Sequence, residues 1–142
     1  MIVYFDTSGL MKLFVDETHT EETRTWARAA DAIALSRVTL PEASAAIGRR
    51  HRGGGLTLLS ARRLVREIAA FWRAATVVEL DEVRAAELAF GHGLTGFDAV
   101  QLAAALSARE HAGAEAFAFA CFDPALNRAA RAEGLTVLEP LD

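Results

Sequence analysis

Short apolar runs rich in strand-forming side chains alternate with amphipathic helical stretches, and this alternation constrains the fold more than any other feature. The periodicity predicts strands at residues 2–6, 32–36, 76–80, 116–122 and 135–138. It predicts helices at residues 8–15, 20–30, 39–51, 57–74, 82–91, 97–111 and 124–133. Strands separated by helices pair in parallel through right-handed crossovers. With 142 residues, we expect a single domain over 1–142, an α/β fold that forms a three-layer α/β/α sandwich around a mainly parallel sheet.

The composition excludes several classes of protein. With 52% hydrophobic and 24% charged residues, the chain has enough apolar material for a core and is not a disordered segment. Its apolar stretches are too short to span a membrane, and its N-terminus lacks a signal-peptide pattern. A net charge of -4 argues against coating nucleic acid by bulk electrostatics but leaves room for a local basic patch. The single cysteine, Cys121, fits a reducing compartment, so we expect a cytoplasmic location.

Four carboxylates stand where predicted strands end or helices begin. In the opening MIVYFDTSGL, Asp6 ends the first apolar run, and Asp123 follows the run AFAFACF. Asp98 and Glu42 stand in the first turns of two helices. Taken alone, each aspartate is explained as a helix N-cap. Glu42 alone is explained by the favourable field at a helix N-terminus.

Taken together, the four acids indicate a cation site. The carboxyl ends of parallel strands share one edge of a sheet, and ligands gather there at a topological switch point. Asp6 and Asp123 are expected at that edge, and the helices that carry Asp98 and Glu42 start on it. Carboxylates a few ångströms apart raise one another's pKa or require a cation. Ligands that are all oxygens favour Mg²⁺ or Mn²⁺, and the scattered histidines offer no zinc site.

Four segments, in this order and spacing, closely resemble the PIN-domain ribonucleases, and most nearly the VapC-type toxins of type II toxin–antitoxin pairs. They are FDTSGLMKLF, TLPEASAAIGRR, LTGFDAVQLAAA and CFDPALNRAARAEG. The resemblance covers essentially the whole chain, and its specificity lies in the ordered set. It implies a PIN-like fold and assigns the family's catalytic and metal-binding acids to Asp6, Glu42, Asp98 and Asp123.

The resemblance also implies residues that support these acids. The family's small hydroxyl near the first acid matches Thr7 or Ser8, which would bond a ligand carboxylate or a phosphate oxygen. Some relatives carry a fifth acid after the last one. Here Asn127 is either a neutral substitute for that acid or a residue of the helix surface.

The activity implied is metal-dependent hydrolysis of RNA phosphodiester bonds, which leaves a 5′-phosphate and a 3′-hydroxyl. One Mg²⁺ or Mn²⁺ ion would be held mainly by Asp6, Asp98 and Asp123. Glu42 would complete the pocket and help to position a second ion, so the site would hold one or two ions. The partners implied are an RNA substrate, a cognate small antitoxin and a second copy in a homodimer, with no membrane.

Two surfaces follow from this interpretation. The first is a basic patch that would bind RNA. An ordinary solvent-exposed helix face explains its arginines equally well: Arg49, Arg50, Arg52, Arg62, Arg63 and Arg66. The second is an apolar groove for the antitoxin, and burial in the ordinary core is the competing explanation for each of its side chains: Leu10, Leu13, Phe14, Trp26, Leu59, Phe71 and Trp72.

Three other interpretations compete with a toxin nuclease. A PIN-domain nuclease of RNA processing has the same sequence pattern, and so does a catalytically inactive PIN fold used for binding. A phosphoacceptor receiver domain also gathers acids at strand ends. It requires an acidic pair at the first strand and a lysine near the last strand, whereas the only lysine is Lys12.

Overall fold

The computed structural model of the chain describes residues 1–113 and 115–141. The strands are β1 (Ile2–Phe5), β2 (Ala32–Ser36), β3 (Thr76–Val78) and β4 (Phe117–Ala120). The helices are α1 (Thr7–Phe14), α2 (Thr20–Ala29), α3 (Thr39–Arg52), α4 (Leu58–Ala74), α5 (Glu82–His92), α6 (Gly96–Ala112) and α7 (Pro124–Ala132). Strands and helices alternate as the periodicity predicts, and each helix lies within two residues of its predicted bounds. The α/β class is confirmed.

The four described strands form one parallel sheet in the order β3–β2–β1–β4. In the central strand β1, Val3 aligns with Ile33 on one side and with Ala118 on the other. The chain moves outward from β1 to β2 and β3, then crosses back and places β4 on the free side of β1. The topological switch point therefore lies between β1 and β4, so a ligand site is expected at their carboxyl ends.

Alternation of side chains along the strands supplies two cores, one on each face of the sheet. Tyr4 stacks with Phe119 at a ring-centroid distance of 5.7 Å, and both pack under side chains of α5, α6 and α7. Val3 and Phe5 point to the opposite face and pack with side chains of α1, α3 and α4. Burial of each large side chain stabilises the fold by about 1.5–3 kcal/mol. The sheet is thus covered on both faces, which confirms the three layers.

Residues 135–138 do not form the fifth strand that the sequence predicts. Val137 forms only an isolated parallel bridge with Phe119. The N–H of Phe119 donates to the carbonyl of Thr136 at 2.8 Å, and its carbonyl accepts from the N–H of Leu138 at 2.9 Å. The pairing involves a single residue of β4, so this segment is an edge contact rather than a strand.

β4 ends at Ala120, two residues before the predicted end, because side chains bond the backbone groups that follow. Asn127 donates to the carbonyl of Cys121 at 2.8 Å, and the N–H of Phe122 donates to Ser8 at 3.0 Å. β3 is also two residues shorter than predicted and ends at Val78. Both shortenings occur at the carboxyl edge of the sheet.

Most side chains predicted to line an antitoxin groove belong to the core. Leu10 has no exposed surface, and the partly buried members pack against the same cluster: Leu13, Phe14, Trp26, Phe71 and Trp72. Leu59 is the exception, with 78% of its surface exposed. Among the helices of the described residues, none has the length and apolar character that crossing a bilayer requires.

Candidate active site

Asp6 is both a helix cap and a buried carboxylate. Its Oδ1 accepts from the N–H of Gly9 at 2.9 Å and from the hydroxyl of Ser8 at 2.7 Å, so it caps α1. Only 5% of its surface is exposed. Burial raises the pKa of Asp6 to about 6, repulsion from Asp98 adds to the shift, and the bonds from Gly9 and Ser8 oppose it. A carboxylate held in this way gains from a nearby cation.

Gly9 is required by the close approach of α1 to the end of β4. A Cβ at this position would lie 2.5 Å from the backbone oxygen of Ala120. That oxygen also accepts from the N–H of Asp6 at 3.2 Å. The glycine after the TS pair therefore brings the first acid against the neighbouring strand.

Ser8 joins the carboxyl ends of the two strands at the switch point. Its hydroxyl donates to Asp6 and accepts from the N–H of Phe122 at 3.0 Å. Asp123 follows directly and caps α7, with its Oδ1 accepting from the N–H of Leu126 at 2.8 Å. This hydroxyl, together with the bond from the N–H of Asp6 to Ala120, holds the two strand ends that carry Asp6 and Asp123 side by side.

Asp98 is not the cap of its helix, so the simpler explanation for this acid is wrong. Thr95 caps α6, and its Oγ1 accepts from the N–H of Asp98 at 3.3 Å. The Asp98 carboxylate is half-buried. Burial raises its pKa, and repulsion from Asp123 raises it further. Because Asp98 also raises the pKa of Asp6, the three aspartates share one electrostatic field.

Glu42 is held by a buried hydrogen-bond network. Its Oε1 accepts from the hydroxyl of Thr7 at 2.9 Å and from the amide of Gln101 at 2.8 Å. Gln101 is 2% exposed, and its own carbonyl oxygen accepts from the hydroxyl of Tyr4 at 2.5 Å. The same amide nitrogen lies 3.1 Å from the Thr39 hydroxyl. The network joins β1, α1, α3 and α6 around one carboxylate.

Gln101 and Tyr4 are the functional neighbours that the sequence reasoning missed. A signal for Gln101 was present: a polar residue interrupts the apolar face of FDAVQLAAA, one turn after Asp98. Tyr4 gave a weaker signal, since a hydroxyl in a buried strand requires a partner but does not name it.

Asn127 is buried, so its assignment to the helix surface is wrong. Its amide donates to the carbonyl of Cys121 at 2.8 Å, which fixes the orientation of the side chain. Its Oδ1 is buried without a hydrogen-bond partner, and it is the only such side-chain atom within the part of the chain that the structure describes. An unpartnered buried oxygen is costly unless a ligand or water satisfies it.

The predicted basic patch divides into paired and unpaired arginines. Arg50 donates to Glu17 at 2.8 Å, and Arg63 lies 3.9 Å from Glu67. Over residues 1–113 and 115–141, the guanidinium of Arg49 makes no ion pair, and the same holds for Arg52, Arg62 and Arg66. Arg49 lines a cavity together with the site acid Glu42. This cavity of about 340 Å³ also contains Thr7 and Phe97 in its walls.

The donor set fits a hard cation, although it is not assembled into a tight cluster. Within the described ranges, no three His, Cys, Asp or Glu side chains form a group that could hold a metal ion. The acids nevertheless lie near enough to raise the pKa values of Asp6 and Asp98. A bound Mg²⁺ or Mn²⁺ ion stabilises carboxylates that repel one another.

The fold and these acids define a known class. The model of the PIN domain family matches residues 3–132, so the chain belongs to the PIN domain family. It is 35% identical to Ribonuclease VapC45 of Mycobacterium tuberculosis over 139 residues, which are 96% of this chain and 94% of that protein. The resemblance to VapC-type ribonucleases that the motifs indicate is thereby confirmed.

Solved structures support the fold independently. PAE2754 from Pyrobaculum aerophilum superposes with a TM-score of 0.70 at 20% identity and covers 96% of this chain and 83% of its own. The toxin-antitoxin complex from Klebsiella pneumoniae gives a TM-score of 0.65 at 16% identity, with 99% of this chain and 98% of that chain covered. At these identities the likeness concerns the fold alone.

Proposed function

We propose that the chain is a metal-dependent endoribonuclease and the toxin component of a VapBC-type toxin–antitoxin pair. The observation that carries the proposal is that Asp6 and Asp123 cap helices at the carboxyl ends of β1 and β4, the two strands at the switch point of a PIN fold. Identity of 35% to a protein named ribonuclease, over nearly the whole chain, supports a nuclease. The complex from Klebsiella pneumoniae supports an antitoxin partner.

In this proposal Asp6, Asp98 and Asp123 would hold one Mg²⁺ or Mn²⁺ ion, and Glu42 would help to hold a second. The chemistry supplied by such an ion would be the activation of a water as a nucleophile near neutral pH. Ser8 orients the Asp6 carboxylate. Asn127 offers its free Oδ1 as the neutral oxygen in place of a fifth acid.

The network around Glu42 has a separate task. Thr7 and Gln101 both donate to Oε1, so they fix the rotation of the carboxylate. Both donors are neutral, so Glu42 is held in place without being one half of a salt bridge.

RNA binding requires positive charge beside this acidic edge. Arg49 lies in the cleft of Glu42, and Arg52, Arg62 and Arg66 carry exposed guanidinium groups along α3 and α4. These four are the proposed phosphate contacts. Arg50 and Arg63 are weaker candidates because each already faces a glutamate.

The proposed partners include a second copy of the chain, a small antitoxin and an RNA substrate in the cytoplasm. The alternative, a PIN-domain nuclease of RNA processing, has the same site. Co-expression with the product of a small neighbouring reading frame separates the two, because only a toxin loses its activity in a stable complex with that product.

The activity is tested with purified protein and end-labelled RNA in Mg²⁺, in Mn²⁺ and in EDTA. We expect cleavage with either metal, none in EDTA, and a 5′-phosphate at the new end. Asp98→Asn should abolish cleavage. Asp81→Asn is the matched control because Asp81 caps α5 outside the site. Equal cleavage by wild type and Asp98→Asn, or cleavage that survives EDTA, contradicts the proposal.

A further inference from the structure

An exposed aromatic ring stands at the acidic cleft. Phe97 lies in the first turn of α6, directly before Asp98, and 61% of its surface is exposed. A single exposed apolar residue is ordinary on a protein surface. Phe97 differs in its place, since it lines the cavity of about 340 Å³ that contains Thr7, Glu42 and Arg49. That volume is within the range of small-ligand sites.

Arg49 brings a positive charge to the same cavity. It follows Glu42 by seven residues on α3, two turns along one face, which is a rise of about 10 Å. Its guanidinium has no ion-pair partner over residues 1–113 and 115–141, whereas Arg50 beside it is held by Glu17. The cleft therefore presents an acid, an unpaired cation and an exposed ring.

These three groups correspond to the parts of an RNA strand around one nucleotide, which are the scissile phosphate, a base and an adjacent phosphate. An RNA strand that brings a phosphate to the acids must be single-stranded there, so its bases lose their stacking partners. An aromatic face replaces that lost stacking without selecting one base. The Arg49 side chain lines the same cavity as Glu42, so its guanidinium can bind a phosphate next to the scissile one.

We propose that Phe97 and Arg49 form a nucleotide subsite, in which the ring stacks on the unpaired base beside the scissile phosphate and the guanidinium binds an adjacent phosphate. The inference rests on the proposed nuclease function and adds a substrate-positioning site to it. It assigns Phe97 to the single-stranded RNA and not to a protein partner, because the Arg49 guanidinium in the same cavity makes no ion pair over residues 1–113 and 115–141 and complements a phosphate.

A protein partner is the alternative ligand that could contact the Phe97 ring. On its other side, Phe97 borders a shallow apolar groove of about 580 Å³ between α5 and α6, which includes Leu80, Ala85 and Val100. A second copy or an antitoxin helix on this groove would cover the same side chain. The test must therefore separate RNA binding from association between proteins.

The first experiment measures stacking directly. Two oligoribonucleotides that span the mapped cleavage position carry 2-aminopurine on its 5′ or its 3′ side. They are titrated with Asp6→Asn protein in Mg²⁺, so that binding is observed without cleavage. We expect quenching of one probe, and weaker binding by about 5- to 100-fold when Phe97→Ala is added. Phe97→Tyr should retain the quenching, and Phe97→Leu, which is apolar but not aromatic, should not.

The Phe97 and Arg49 variants each have a matched control. Phe90→Ala removes an equally apolar ring that is 94% exposed and lies outside the cavity, and should leave RNA affinity unchanged. Arg49→Gln should lower the slope of log affinity against log salt by about one, as expected for one lost phosphate contact. Arg73→Gln, an exposed arginine where α4 leads into β3, should not.

Three results overturn the inference. Equal RNA affinity of Phe97→Leu and wild type contradicts stacking. Unchanged RNA affinity in Phe97→Ala contradicts the subsite, and a loss of dimer by light scattering with RNA affinity intact assigns the ring to a protein interface. If wild type cleaves RNA while these variants match it, only the subsite fails. If wild type neither binds nor cleaves RNA, the proposed function fails with it.

Discussion

Replacing Asp6 with asparagine should stabilise the metal-free protein while abolishing its activity. Burial raises the pKa of Asp6 from 3.8 to about 6, a difference of 2.2 from those two values. At 1.36 kcal/mol per pKa unit, this corresponds to about 3 kcal/mol. Because the folded-state pKa lies above the unfolded one, the stabilising proton is fully bound below pH 4 and is lost as the pH rises through 6.

Asparagine removes this penalty and keeps the local structure. Its Oδ1 can accept from Gly9 and Ser8 as the carboxylate does, so α1 remains capped. In EDTA at pH 7.5, Asp6→Asn should therefore unfold with a free energy about 3 kcal/mol higher than wild type. At pH 4.5 the difference should fall to about 1 kcal/mol, because most of the buried carboxyl is then protonated.

The assay is urea denaturation followed by circular dichroism at both pH values, with Asp81→Asn as a cap-matched control outside the site. Added Mg²⁺ should raise the stability of wild type according to its affinity and should have a smaller effect on Asp6→Asn. Equal stability of the two proteins at pH 7.5, or a difference that is the same at both pH values, refutes the argument that a buried, unneutralised carboxylate strains this site.

Three further variants test the neighbouring contacts. Asp123→Asn should lose cleavage but keep the cap of α7, whereas Asp123→Ala should also lose about 1 kcal/mol of stability in urea denaturation. Gln101→Leu leaves Glu42 without its amide donor, so we expect the free energy of unfolding to fall by about 1–3 kcal/mol and cleavage to be slower. Unchanged activity would assign the amide a purely structural role. Gly9→Ala forces a Cβ toward the backbone oxygen of Ala120 and should lower the midpoint of thermal unfolding by several degrees, through about 1–3 kcal/mol; an unchanged midpoint would contradict this close approach.

The elements of the fold that could be predicted are those with a local signal in the sequence. Helix α4 follows from the spacing of its apolar residues and from Thr57, whose hydroxyl accepts from the N–H of Ser60 at 3.1 Å. The prediction of a strand at 135–138 was wrong because a short apolar run does not show whether a neighbouring strand has free backbone groups with which to pair. The predicted end of β4 was wrong for a related reason, since side chains distant in sequence bond the backbone beyond Ala120.

The candidate acids were found by position, but their individual roles depended on contacts. A carboxylate at a helix start has the same local pattern whether it caps or not, so sequence did not distinguish Asp6, which caps, from Asp98, which does not. The arginines show the same limit. Arg49 and Arg50 are adjacent, yet only Arg50 meets Glu17, because successive helical residues point about 100° apart.

By itself, the sequence determined the alternation of strands and helices and the parallel sheet that follows from it, and it predicted four acids at one edge of that sheet. These are consequences of local periodicity and of the handedness of crossovers. The tertiary structure alone decided the partners of those acids. Gln101 bonds Tyr4 across 97 residues and Glu42 across 59. Such contacts depend on how layers pack in space, and no pattern within a single helix or strand encodes them.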